Sequence, residues 1–123
     1  MASHPTRLTL VVVDDDRDIR RAVGRSLRSF GYDVHLFDSG EAYLSERCAA
    51  DCAIVDIGLP GVSGLEMEER MRQSGCGVPI VFITAHDGLA QRAVRSTSMP
   101  VLKKPVDEDD LLDAIAQVTA NQG

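Results

Sequence analysis

Asp14, Asp15, Asp56, Thr84 and Lys104 each stand at or just past the end of a short apolar run, and together they offer three carboxylates, a hydroxyl and an ammonium. That set suits a divalent cation and a phosphoryl group. Mg²⁺ takes oxygen ligands from a few carboxylates plus water, and an ammonium neutralises phosphoryl oxygens. Adjacent carboxylates desolvated together repel each other and hold their protons more tightly, and a hard cation relieves this. Asp14 and Asp15 could equally open an acidic helix, because Asp16 and Asp18 follow. Asp56 could cap a turn, or act as a nucleophile that takes a phosphoryl group as an acyl phosphate. Thr84 alone reads as a polar strand end. Lys104 alone reads as a surface lysine beside Pro105, with Lys103 its competitor, although alternation turns only one of that pair toward a shared crevice.

The elements that would carry these residues are four apolar runs, Leu8–Val13, Cys52–Val55, Ile80–Ile83 and Val101–Leu102. Short, partly β-branched runs read as strands buried on both faces, hence parallel, and parallel sheets bind ligands at the carboxyl ends of their strands. Helical spacing follows Asp16 through Ile19, Ala22, Val23, Leu27 and Phe30, with Gly31 placed to end the helix. A further strand is predicted at about Val34–Phe37, and Asp38-Ser39 can cap a helix to about Arg47. Ser63–Glu66 reads as a capping box for a helix stopping near Gly75. Asp87 is placed to cap a short helix to about Arg95. Asp107–Asp110 loads acid onto the start of a last helix that buries Leu111, Leu112, Ile115 and Val118. Five βα units predict an open, doubly wound α/β sheet with helices on both faces.

The bulk numbers agree with one domain. A chain of 123 residues can bury a real core, and its net charge of −6 argues against generic nucleic-acid binding. No apolar run approaches a membrane span, and Met1–Pro5 lacks the core of a signal peptide. Cys48, Cys52 and Cys76 lack zinc-type spacing, and the expectation is free thiols in a reducing cytoplasm rather than a disulfide. His4, His35 and His86 are scattered, which speaks against a histidine metal cluster.

Val12-Val13-Asp14-Asp15-Asp16, Val55 to Gly64, Ile83-Thr84-Ala85 and Lys103-Lys104-Pro105 together resemble the receiver domain of two-component response regulators, over nearly the whole chain from about Leu8 to Val118. The resemblance implies a flavodoxin-like sheet of strand order 2-1-3-4-5 with five helices, the fourth short. It implies that Asp56 is the phosphoacceptor and that Asp14, Asp15, Asp56 and the backbone carbonyl of Gly58 hold Mg²⁺. Thr84 would hydrogen-bond the phosphoryl group, Lys104 would pair with it, and Lys104–Pro105 would be a cis peptide. The implied donor is a sensor histidine kinase or histidine phosphotransferase. Output would pass by protein contact to an unknown target, with a phosphorylation-linked homodimer as one form, and with neither nucleic-acid binding nor membrane insertion. The chain ends soon after its last helix, so no effector domain is expected on it.

Two departures affect output rather than phosphorylation. Val101 stands where the family has Tyr or Phe, and Ser96–Pro100 replaces the usual Gly-Ala pair in a segment that looks slightly short. A haloacid-dehalogenase-type phosphatase is a competing reading, since Asp14-Asp15-Asp16 nominally fits its first motif. Such enzymes also need an acidic pair after a later strand, and Asp109-Asp110 lies at a helix start. A receiver fold kept only for binding is a third reading, opposed by the presence of all five site residues. Finally, Arg17, Arg21, Arg25 and Arg28 share one stripe of the first helix, with Arg20 beside it. That stripe is either a solvated face or a docking face for the phosphodonor.

Overall fold

The computed structural model describes residues 7–46 and 49–120. Strands and helices alternate: β1 (Thr9–Val13), α1 (Arg17–Ser29), β2 (Asp33–Phe37), α2 (Gly40–Ser45), β3 (Cys52–Asp56), α3 (Gly64–Gln73), β4 (Ile80–Thr84), α4 (Asp87–Ser96), β5 (Val101–Lys103) and α5 (Glu108–Ala120). The five strands form one sheet in the order β2-β1-β3-β4-β5, and every pairing is parallel. This is the doubly wound α/β sheet that the alternation of runs predicts.

The strand side chains divide between two cores as the period of two requires. Val11, Val13, Ala53, Val55, Ile80 and Phe82 face one side, where Tyr43 of α2, Met67 and Met71 of α3 and Ala93 of α4 cover them. Leu10, Val12, Cys52, Ile54, Val81 and Ile83 face the other side, under Leu27 of α1 and Leu111, Ala114, Ile115 and Val118 of α5. All of β3 and β4 is buried, which explains why these runs are continuously apolar until their final Asp56 and Thr84.

Helix starts follow local chemistry. Asp16 caps α1, its side chain accepting from the N–H groups of Asp18 and Ile19, and Gly31 lies past the helix end at φ 94°. Ser39 caps α2; the predicted end of that helix near Arg47 lies outside the described residues. Ser63 accepts from the Glu66 N–H, but Glu66 itself turns along the helix to pair with Arg70 at 2.8 Å, so only half of the expected capping box forms. The residue at the cap of α4 is His86 rather than Asp87; Asp87 lies in the first turn and pairs with Lys103 instead. Asp107 accepts from the Asp110 N–H at the start of α5.

One expectation is corrected. Cys76 is disulfide-bonded, whereas Cys52 is a free buried thiol and Cys48 lies outside the described residues. Spacing along the chain does not tell which cysteines a fold brings together, and the cysteine count therefore gives no argument for a reducing compartment. Among the described residues no helix is long and apolar enough to cross a membrane.

Candidate functional site

The carboxyl ends of β1, β3, β4 and β5 meet at one edge of the sheet. Asp14 follows β1 and is fully buried, Asp56 ends β3 at 7% exposure, and Thr84 ends β4 fully buried. Three buried polar groups at the ends of apolar strands are costly unless something pairs with them.

Much of the pairing is internal. Asp14 Oδ1 accepts from the Asp16 N–H at 2.9 Å, and Asp56 Oδ1 accepts from the Gly58 N–H at 2.9 Å. Each carboxylate is thereby oriented by the turn that follows its own strand. Lys104 then bridges the two: its Nζ lies 3.0 Å from Asp56 Oδ2 and 2.9 Å from Asp14 Oδ2. The first contact is a hydrogen bond, whereas the second is not aligned as one, so Asp14 Oδ2 is buried with no hydrogen-bond donor. The Lys104 N–H bonds the Thr84 carbonyl at 2.8 Å, which holds the lysine beside the end of β4, and the Lys104–Pro105 peptide is cis. Lys103 points elsewhere, to Asp87, which decides the competition between the two lysines.

Electrostatics follow from this geometry. Burial pushes the Asp14 carboxyl above its usual value of 3.8, with a smaller upward push from Asp56, while Lys104 and the Asp16 N–H pull it down. Burial alone would lower the Lys104 ammonium, but the Asp14 and Asp56 carboxylates outweigh it and hold the group above 10.5. Carboxylate oxygens of Asp14, Asp15 and Asp56 all lie within 4.8 Å of one another, a set that could hold a metal ion. One lysine faces three carboxylates, and the buried Asp14 oxygen has only that shared ammonium, 2.9 Å away, beside it. A hard divalent cation fits both facts.

Asp14, Asp15, Asp56 and Lys104 thus come together, Thr84 ends the neighbouring strand β4, Gly58 meets Asp56 through its N–H, and other residues join them. Thr84 Oγ1 accepts from the His86 N–H at 3.2 Å, so its hydroxyl is engaged with the start of α4. His86 and Leu89 stand beside Gly58, each within 4 Å of where a Cβ on that glycine would lie. Arg20 Nη1 donates to the Asp14 carbonyl at 2.8 Å and ties α1 to the end of β1. Gly64 packs so closely that a Cβ there would lie 2.7 Å from the Asp56 carbonyl oxygen. Gly64 stands in the quoted Val55–Gly64 stretch, but only contact distances reveal its role.

Comparison with known proteins agrees with this geometry. A family model described as "Response regulator receiver domain" matches residues 10–116. The chain belongs to the response regulator receiver domain family. Receivers are signalling switches of two-component systems, and this one has the family's acidic pocket at Asp14, Asp15 and Asp56. The response regulator protein TmoT of Ectopseudomonas mendocina is 34% identical over 110 residues, covering 86% of this chain and 50% of that protein. Nodulation protein W of Bradyrhizobium diazoefficiens is 32% identical over 118 residues, covering 93% of this chain and 52% of that protein. The chain therefore spans about half the length of these relatives. Among solved structures, the response regulator StyR superposes with a TM-score of 0.84 at 38% identity, covering 94% of this receiver and 61% of StyR. The receiver domain of Francisella response regulator 1452 matches in fold, with a TM-score of 0.83 at 20% identity over 95% of this chain and all of that one.

Proposed function

We propose that this receiver accepts a phosphoryl group on Asp56 from a phosphohistidine of a sensor kinase or phosphotransferase, in a Mg²⁺-dependent step, and signals the result by protein contact. The observation that carries the reading is the Lys104 ammonium held between Asp14 and Asp56 beside a third carboxylate. A carboxylate oxygen of Asp56 attacks phosphorus, the P–O bond forms as the P–N bond breaks, and the donor imidazole leaves with the bonding pair. Gly58 N–H fixes one Asp56 oxygen and Lys104 lies at the other, so the nucleophile is pre-oriented and its neighbour already carries positive charge. Thr84 exchanges its present contact with the His86 N–H for a hydrogen bond from its hydroxyl to the phosphoryl oxygens. Asp14, Asp15, Asp56 and the Gly58 carbonyl would hold Mg²⁺, which when bound supplies positive charge to the transferring oxygens. The exposed, small Ala85 leaves the approach open.

The dehalogenase-type alternative finds no second acidic pair in the cluster among the described residues: Asp109 and Asp110 are exposed in the first turn of α5. The test is incubation with acetyl phosphate and Mg²⁺. One phosphoryl mass should be added, and it should be absent from Asp56→Ala. A label that persists there, or that maps to Asp14, would overturn the reading.

A further inference from the structure

We propose that Arg20 is a positioning residue for the metal set: it holds the Asp14 carbonyl and thereby fixes the direction of Asp15, the one carboxylate of the set without a tie of its own. This rests on the reading of Asp14, Asp15 and Asp56 as Mg²⁺ ligands. Asp14 is oriented by the Asp16 N–H and Lys104, and Asp56 by the Gly58 N–H and Lys104. Asp15 is exposed, and its carboxylate makes no hydrogen bond or ion pair among the described residues. Yet one of its oxygens lies within 4.8 Å of oxygens of both buried neighbours. Only the backbone on which it stands sets that place.

That backbone has left the sheet. The pairings of β1 end at Val13, opposite Phe37 of β2 and Val55 of β3. One further bond follows, from the Asp14 N–H to the Phe37 carbonyl at 3.2 Å. The Asp14 carbonyl lies beyond both ladders, and among the described residues no backbone N–H bonds it. Arg20 Nη1 does so, at 2.8 Å in a half-buried setting. The carbonyl of Asp14 and the N–H of Asp15 belong to one planar peptide, so a donor that fixes the first fixes the second, and with it the Asp15 Cα. Side chains of a helix lean toward its N-terminus, and the fourth residue of α1 is placed to reach back over the first turn to this peptide.

Charge alone does not explain an arginine here. A cation beside a Mg²⁺ site repels the ion, and Arg20 directs its donor at a carbonyl rather than at a carboxylate. If Arg20 acted only through its charge, removing it would tighten metal binding. If it acts by holding the peptide, removing it leaves Asp15 free to turn away, and affinity falls although a repulsive charge has gone. The two roles therefore have opposite signs. A purely stabilising tie between α1 and β1 gives a third result, a weaker fold with the metal affinity of the folded protein unchanged.

The experiment is a Mg²⁺ titration of the full chain at constant ionic strength, followed by amide chemical shifts, with metal-free stability measured separately in urea. R20M should weaken Mg²⁺ binding by about tenfold or more. R17Q removes the same charge from the same end of α1 and should leave affinity unchanged or slightly tighter. R20K, whose ammonium can still donate to one carbonyl, should stay within about threefold of wild type. In the Asp15→Ala background R20M should weaken binding by less than about twofold, because the residue it positions is gone. R20Q, too short to span the gap, repeats the cycle where R20M does not fold. Mg²⁺ binding by R20M as tight as in wild type or tighter would overturn the proposal, as would the same loss with and without Asp15. Wild-type shifts that ignore Mg²⁺, or an Asp15→Ala affinity equal to wild type, would instead remove the metal-set reading beneath it.

Discussion

Asp14 carries the highest electrostatic cost of the site. It is fully buried, burial raises its proton affinity, and one of its oxygens lacks a hydrogen-bond donor. A carboxyl whose folded pKa is raised contributes stability that is complete below its unfolded value, here 3.8, and is lost as pH rises through the folded value. At neutral pH its charged form is therefore a burden on the metal-free protein. Asp14→Asn should raise metal-free stability, on the order of 1 kcal/mol, and flatten the loss of stability just above the ordinary carboxylate range. Urea titrations across pH check both, and a variant less stable than wild type at neutral pH would contradict the argument. Lys104 is the opposite charge with the same direction of shift. Its contribution is complete below 10.5 and disappears as pH rises through its higher folded value, so Lys104→Met should remove an alkaline loss that the wild type shows. A cation relieves the same crowding. With a dissociation constant of about 1 mM, about 10 mM Mg²⁺ should add roughly 1.4 kcal/mol by mass action. Thermal melts should show this in the wild type and not in Asp15→Ala; equal responses would remove Asp15 from the metal set.

At the scale of elements, the junction of β3 and α3 is the tightest part of the site. A Cβ at Gly64 would lie 2.7 Å from the Asp56 carbonyl oxygen and 2.9 Å from the Ile57 Cα, both backbone atoms that cannot rotate away. Gly64→Ala should therefore destabilise by about 2 kcal/mol and slow phosphorylation, because the backbone carrying Asp56 must shift. Gly77, with open space around it, is the control: its alanine variant should change stability by less than about 0.5 kcal/mol. This contrast marks the boundary of what was legible in the sequence. Strand ends, buried runs and the caps at Asp16, Ser39 and Ser63 were readable because each depends on residues adjacent in the chain. The close approach at Gly64 depends on how the start of α3 packs back on the end of β3, which no local pattern encodes. The same holds for Glu66, whose side chain had a choice between the helix N-terminus and Arg70, and for Asp87, which pairs with Lys103 rather than capping α4.

Across the whole molecule, the question is how a change at Asp56 reaches the surface. Val101 is half-buried and packs with Met99 on the core beneath α3 and α4, so the position where the family has an aromatic holds a small β-branched side chain with no ring to swing. Other links join the site to α4. Its first turn is held by the Thr84 hydroxyl through the His86 N–H and by the Asp87–Lys103 pair, while its last residues are held by Thr97 Oγ1 donating to Glu68 on α3 at 2.9 Å. The Asp87–Lys103 and Thr97–Glu68 contacts join residues far apart in sequence, which is why the departure at Val101 was legible and these ties were not. If Thr84 turns to a phosphoryl group, the His86 N–H loses its acceptor and the start of α4 is released while its end stays tied to α3. α4 buries only Ala93 fully and exposes Val94, so opening there costs little. Hydrogen exchange with and without beryllofluoride should therefore show its largest change in residues 87–99, with α1 the next region to respond. Thr97→Val should carry the change through to the far end of α4, where the wild type stays protected. A change confined to residues 101–102, with residues 87–99 unmoved, would mean that Val101 itself transmits the signal and that the ties at Thr84 and Thr97 do not.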